Sequence, residues 1–363
     1  MQISDDAHII RGADIVIIAV PTPVNEDHTP DLTPLEGACA IVGAELAEGT
    51  LVIIESTVNP GACETVALSI LEATSGLQGG ADFGFAHCPE RVNPGDTTYT
   101  IATIPRVVGA LDAESLARAT KFYRNVVRSE VVEMGSIKEA EAVKMVENSF
   151  RDINIAFVNE LAMSFERAGI DITNVIRGAS TKPFGFMAHY PGCGVGGHCI
   201  PVDPYYLIHY GRANGFAHRF LETARTINNS MPIHTVDRLA EALAENGIPI
   251  AGAKVALLGL SYKRDVGDTR ESPALVIRDE LLRRGARVRS YDPCAIESGS
   301  VRTLADSLKG AHAALIATDH GEFSALTPWD FREYNIAVVV DGRNCLAKED
   351  FVRAGITYRG IGR

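Results

Sequence analysis

Residues 13–23 read ADIVIIAVPTP, an apolar run that ends in a turn bracketed by two prolines. β-Branched residues without polar alternation are the pattern of a strand buried on both faces, as in a parallel sheet covered by helices. The following residues keep that rhythm. LEGACAIVGAELAEG (35–49) reads as a helix, TLVIIEST (50–57) as a strand, ETVALSILEATSG (64–76) as a helix and FGFAHCPE (83–90) as a strand. Such alternation builds half of a doubly wound α/β domain. ADIVIIAVPTP reads as an interior strand with no βαβ unit ahead of it, so the pattern predicts an N-terminal truncation of this domain.

Further along, residues 136–169 hold helical periodicity with no proline and with glycine only at the end. At the rise of an α-helix this predicts a rod of about 50 Å, long enough to join domains or to form a dimer interface. A second helix is expected over about 218–245. From residue 254 another α/β unit begins, with KVALLGL (254–260), SPALVIRDELLRRG (272–285), RVRSYDP (287–293), AALIATD (313–319) and AVVVDGRN (337–344). The expected organisation is an α/β domain over 1–133, a helical middle over 134–248 and a second α/β domain over 249–363.

With 363 residues, 46 % of them hydrophobic, the chain is too long for a single core. Its net charge of −12 argues against nucleic acid or an anionic membrane as partner. An anionic ligand must therefore be held by a few placed cations. The 7 cysteines are odd in number and scattered, which predicts no disulfide framework and a reducing cytoplasm. No apolar run reaches the roughly 18 to 20 residues of a membrane span.

Chemistry concentrates in YPGCGVGGHCIPVDPYYL (190–207), where Gly192, Gly194 and Gly197 fit the spacing G-x-G-x-x-G. A dinucleotide loop also needs a strand before it and a helix after it. TKPFGFMAHYP upstream does not alternate, and Pro201 and Pro204 remove N–H donors where a helix would begin, so neither flank is expected. The glycines instead surround Cys199. Gly194, Gly196 and Gly197 are expected to let a substrate approach the main chain and to offer N–H groups to an oxyanion, with the Asp203 carboxylate in reach. His198 and the His87–Cys88 pair lack metal-site spacing, so no metal is expected. Lys144 and Asn148 share one face of the long helix. Thr22, Ser56, Thr57 and Glu90 close successive strands at their C-terminal ends, where open α/β sheets bind ligands.

With these residues assembled, the chain resembles the UDP-glucose/GDP-mannose dehydrogenase family. The matching stretches are VPTP (20–23), ESTVNPG (55–61), PERVNPG (89–95), AEAVKMVENSFRDINIAFVNEL (140–161), GVGGHCIPVDPYYL (194–207) and GLSYKRDVGDTRESPA (259–274). The resemblance implies two Rossmann-like doubly wound domains joined by a long central helix, the first of them truncated, in a cytoplasmic homodimer. It also implies NAD-dependent, four-electron oxidation of a UDP-sugar at C6, from alcohol to carboxylate. Cys199 would capture the aldehyde as a thiohemiacetal, and Asp203 would orient or activate water. Lys144 and Asn148 would stabilise charge on the reacting oxygen, with Glu90 assisting as acid/base beside Thr57. Val20, Pro21, Thr22, Ser56, Thr57, Glu90 and Arg270 are implied at the cofactor. Arg91, Val92, Lys144, Asn148, Tyr190, Gly194, Gly196, Lys263 and Arg343 are implied at the substrate.

Two departures refine this. UDP-glucose members read PEF with an acidic residue four positions after the Glu, whereas here Arg91 follows Glu90 and Pro94 holds the later position. With TKPFGF (181–186) this resembles the branch acting on UDP-N-acetylhexosamines, N-acetylglucosamine ahead of N-acetylmannosamine. The family's opening strand, its glycine fingerprint and its ribose-binding acid have no counterpart, which carries the expected truncation to the NAD site. The competing expectations are a UDP-glucose 6-dehydrogenase, a UDP-sugar-binding remnant without turnover, and a two-electron hydroxyacid dehydrogenase.

Overall fold

A computed structural model describes residues 3–25, 27–93 and 98–363. The chain divides into two compact units, the first comprising residues up to Ser149 with Val202–His218, the second Phe150–Pro201 with Arg219–Arg363.

Strand β1 (Ile15–Ile18), helix α1 (Thr33–Glu45), β2 (Leu51–Ile54), a π-helical turn (Cys63–Leu68) running into α2 (Ser69–Ser75), and β3 (Gly84–His87) follow the expected alternation. β4 (Arg106–Ala110), α3 (Ala113–Val126) and β5 (Val131–Glu133) complete a sheet of order β1-β2-β3-β4-β5. β1, β2 and β3 are parallel, while β4 runs antiparallel to β3. Among the described residues β1 forms the edge of this sheet, and Ile17 is 39 % exposed. An apolar run reports which faces are covered but does not count hydrogen-bonded neighbours.

Helix α4 spans Ile137–Ala168, 32 residues. Its start is set by Ser136, whose hydroxyl accepts the Glu139 N–H at 3.2 Å, while the Glu139 carboxylate accepts the Gly135 N–H at 2.7 Å. It ends at Gly169, whose φ of 68° is the left-handed conformation of a helix C-terminus. α5 (Ile172–Ala179) follows, capped by Asp171. α6 (Asp203–Ala213) belongs to the first unit and α7 (Arg219–Glu245) to the second. α6 corrects the expectation that no helix follows the glycine segment. Pro204 falls in its first turn, where the missing N–H has no intrahelical acceptor to lose.

The second unit continues with β6 (Lys254–Leu258), α8 (Pro273–Arg283), β7 (Arg287–Tyr291), α9 (Leu304–Leu308), β8 (Ala313–Ile316), α10 (Gly321–Ser324), α11 (Pro328–Arg332), β9 (Val338–Asp341), α12 (Lys348–Arg353) and β10 (Thr357–Gly360). Its sheet, of order β10-β9-β8-β6-β7, is wholly parallel. β6, β8 and β9 bury both faces, one against α7 and α8, the other against Leu308, Phe323, Phe331 and Phe351. The strand order reverses between β6 and β8, and the crevice beyond their C-terminal ends is where such sheets take ligands.

Candidate active site

In the first unit, the loops after β1, β2 and β3 emerge at the same sheet edge. Ser56 donates its hydroxyl to the Val20 carbonyl and Thr22 donates to the Thr57 carbonyl, each at 2.7 Å, lashing the VPTP and ESTV turns together. Tyr206 of α6 donates to the carbonyls of Thr22 and Pro23. Glu141 of α4 is fully buried and accepts the N–H groups of Gly61 and Cys63, fixing the end of the ESTVNPG turn. Burial pushes its carboxyl up to about 7 against those hydrogen bonds. Glu90 accepts the N–H groups of Arg91 and Val92 on one oxygen and pairs with the buried Arg106 at 2.9 Å on the other. The Arg91 guanidinium is held by Glu147 of α4 and by the Pro105 carbonyl. Pro94 lies outside the described residues.

Lys144, Asn148 and Asp203 are buried side chains of the same unit, 9 %, 8 % and 4 % exposed. The spacing of four turns Lys144 and Asn148 to one side of α4. Asn148 donates its amide to the carboxylate of Asp203, the first residue of α6. Burial pushes the Asp203 carboxyl up to about 7, opposed by the Asn148 hydrogen bond and the Lys144 charge. A carboxylate so balanced changes charge near neutral pH and can take a proton from water.

In the second unit the glycine segment precedes α6 without any strand leading into it. Gly192 N–H goes to Asn159 Oδ1, Cys193 N–H to the Gly342 carbonyl and Gly197 N–H to the Arg270 carbonyl. Three of the segment's N–H groups are thus committed within the protein. The expectation that Gly197 offers its N–H to an oxyanion is corrected, since that donor is already committed to Arg270. A Cβ at Gly196 would fall 2.7 Å from the Glu271 carbonyl oxygen, and one at Gly197 2.7 Å from the Tyr262 ring. The bare backbone lets the turn 262–273 lie against it. Cys199 sits on this segment half-buried, whereas burial raises the thiols of Cys39 and Cys88 to about 12 and of Cys193 to about 11. Those thiols are held protonated, away from the chemistry of a thiolate. Tyr190 is exposed.

At the second sheet's switch point, Lys263 follows β6 and Arg343 follows β9. Arg343 Nε donates to Asp319 beyond β8 at 3.2 Å. Arg270 is paired with Asp268 at 2.6 Å. The loop bearing Lys263 is stitched from below. The buried carboxylate of Asp292 accepts the N–H groups of Leu260 and Ser261, each at 2.7 Å, and lies 3.0 Å from His320 Nε2. His320 Nδ1 accepts the Asp265 N–H at 2.9 Å.

Comparison with known proteins gives this arrangement a lineage. Residues 1–127, 138–230 and 256–348 match the NAD binding, central and UDP binding domains of the UDP-glucose/GDP-mannose dehydrogenase family. A UDP-N-acetyl-D-mannosamine dehydrogenase of Pyrococcus horikoshii is 38 % identical over 100 % of this chain and 84 % of its own. The chain belongs to the UDP-glucose/GDP-mannose dehydrogenase family. A UDP-N-acetyl-D-glucosamine 6-dehydrogenase of Pseudomonas aeruginosa is 37 % identical over 89 % of this chain and 78 % of its own. Among solved structures, that of UDP-D-ManNAc dehydrogenase from Pyrococcus horikoshii superposes with a TM-score of 0.92 at 37 % identity, covering 99 % of this chain and 84 % of the other. An NDP-N-acetyl-D-galactosaminuronic acid dehydrogenase from Methanosarcina mazei gives 0.88 at 36 % identity, covering 99 % and 79 %.

As a family member the protein is an NAD-dependent oxidoreductase with a UDP-binding domain. Residues 1–127 match the family's NAD binding domain, so the expected loss of the NAD unit is not supported. Sequence reasoning missed Glu141, Arg106, Glu147, Asp292 and His320, which hold the loops of the motif residues. Glu141 and Glu147 lie three residues to either side of Lys144, a helical spacing that could have flagged them. The others are separated in sequence from what they hold. No described helix is long and apolar enough to cross a membrane.

Proposed function

We propose that this family member is a UDP-N-acetylhexosamine 6-dehydrogenase, with N-acetylglucosamine preferred over N-acetylmannosamine. The carrying observation is the buried Asn148–Asp203 pair with Lys144, an acid and a cation withdrawn from solvent in one unit. In this reading Lys144 and Asn148 stabilise negative charge on the C6 oxygen as its proton leaves. The Cys199 thiolate adds to the resulting aldehyde carbon to give a thiohemiacetal, whose oxidation leaves a thioester. Water activated by Asp203 attacks the thioester, the carbon–sulfur bond breaks, and the carboxylate and thiol are released. NAD, when bound, accepts one hydride in each of the two oxidations. Glu90, Thr57, Thr22, Ser56, Val20, Pro21 and Arg270 are assigned to orienting it. The loops lashed at Ser56–Val20 and Thr22–Thr57 support that fit by presenting a fixed edge at the ends of parallel strands.

Arg91, Val92, Tyr190, Gly194, Gly196, Lys263 and Arg343 are assigned to the UDP-sugar. The preference for an N-acetyl sugar is supported by Arg91, held rigid by Glu147, and by relatives named for N-acetylhexosamines. The epimer preference rests on TKPFGF. The boundaries 1–133, 134–248 and 249–363 are proposed for the NAD, central and UDP domains, and a dimer through α4 is supported by the exposure of Val146, Phe150 and Phe157. The test is NADH yield and kcat/KM with UDP-N-acetylglucosamine, UDP-N-acetylmannosamine and UDP-glucose. Two NADH per sugar are expected, with UDP-N-acetylglucosamine ahead of UDP-glucose by at least about tenfold. One NADH per sugar overturns the four-electron reading, and equal rates overturn the hexosamine reading.

A further inference from the structure

Strand register sets Lys254 of β6 directly opposite Arg287 of β7, and Arg289 lies opposite Ala256 on the same face. Like charges directly opposite in a sheet are destabilising. Lys309, just beyond α9, joins them, and the four cations with Val255, Val288, Ser307 and Ala311 line a concavity of about 410 Å³. Arg289 is tied in place, donating to the carbonyls of Asp306 at 3.1 Å and Lys309 at 2.8 Å, the C-terminal end of α9. Lys254, Arg287 and Lys309 are exposed, and none of the four forms an ion pair among the described residues. In a chain with 46 acidic residues against 34 Lys and Arg, a cluster of cations with no carboxylate is not what average composition supplies. The concavity lies at the N-terminal end of β6, and Lys263 follows its C-terminal end, about 15 Å away along the strand. It is therefore distinct from the switch-point crevice.

We propose that this concavity is a second anion site of the enzyme, which takes an oligophosphate chain. Several adjacent negative charges would relieve the Lys254–Arg287 repulsion that the fold otherwise carries, and the guanidinium groups suit phosphate oxygens in pairs.

The test is titration calorimetry of the full chain with inorganic tripolyphosphate, with and without saturating UDP and NAD. One equivalent should bind in the presence of both, with affinity falling as salt rises. The R287Q/K309Q variant should bind at least about tenfold more weakly, the loss of charge-assisted hydrogen bonds, while UDP affinity is unchanged. Adenosine triphosphate run in parallel separates the sources: equal affinity assigns recognition to the phosphate chain alone, and tighter binding assigns it to a nucleotide. An independent readout comes from melting without ligand, where R287Q should melt above the wild type because the like-charge pair is gone, while tripolyphosphate should raise the wild-type Tm by more than that of R287Q. Absence of binding once UDP and NAD are present, or undiminished binding by R287Q/K309Q, overturns the proposal. Loss of UDP binding alone bears on the proposed function and leaves this site standing.

Discussion

Asn148 donates its side-chain amide to the carboxylate of Asp203, across 55 residues of sequence and with both groups buried. A carboxyl in that position is displaced from its ordinary value of 3.8 to about 7, chiefly by desolvation. Turnover should therefore rise with pH through an inflection near about 7 and lose that inflection in Asp203→Asn. A pH–rate profile of both forms checks this, and an unchanged inflection in the variant assigns it to another group.

The same shift has a consequence for stability. Asp203 and Glu141 both have folded values of about 7, above their ordinary 3.8 and 4.5. Raised acids contribute stability that is complete below the unfolded value and is lost as pH rises through the folded one. Denaturant midpoints should thus fall between about pH 4 and 7 and then level. Asp203→Asn should flatten part of that slope, and a midpoint that rises over this window would contradict the burial of both groups.

Lys263→Ala and Arg343→Ala should each weaken UDP binding by about tenfold or more, the loss of a charge-assisted contact to phosphate. NAD affinity should stay as it is. Fluorescence or calorimetric titration with UDP and NAD separately distinguishes the two, and unchanged UDP affinity in both variants would remove the switch-point crevice from consideration.

Gly196→Ala should destabilise the protein by about 1–3 kcal/mol, because the new methyl meets the Glu271 carbonyl and Pro273 within 2.7 Å. Gly178→Ala in α5 serves as the control. Nothing lies within 4 Å of a Cβ there, so a gain of about 0.4–1 kcal/mol is expected from the stiffer unfolded chain. Equal effects at the two positions would show that packing against the glycine segment is not what requires glycine.

Arg225→Met should cost about 3–5 kcal/mol, since Arg225 pairs with Asp152 at 2.6 Å with both side chains almost wholly buried. Asn228 also donates to Asp152, but it cannot replace the lost charge. Adding Asp152→Asn should recover part of the loss. A thermal melt of the single and double variants measures both values, and a neutral single variant would refute the buried pair.

The sequence by itself determined the elements whose signal is local. α4 was legible because thirty-two residues pass without proline or glycine and end at Gly169, and β2, β3, β6, β8 and β9 because strands covered on both faces are almost purely apolar. The Lys144–Asn148 pairing followed from helical spacing alone. Motif order was sufficient for the family.

Tertiary structure decided what depends on neighbours distant in the chain. It gave Gly196 and Gly197 their reason, because the turn 262–273 that presses on them is some seventy residues away and no local pattern announces it. It started α6 at Asp203 despite Pro204, because a proline's effect depends on where in a helix it falls. It set the order β1-β2-β3-β4-β5 among the described strands, since strand order is settled by backbone pairing and not by apolarity. Finally, it raised Asp203 towards neutrality, because desolvation is a property of everything packed around a group, and the sequence states only that the group is there.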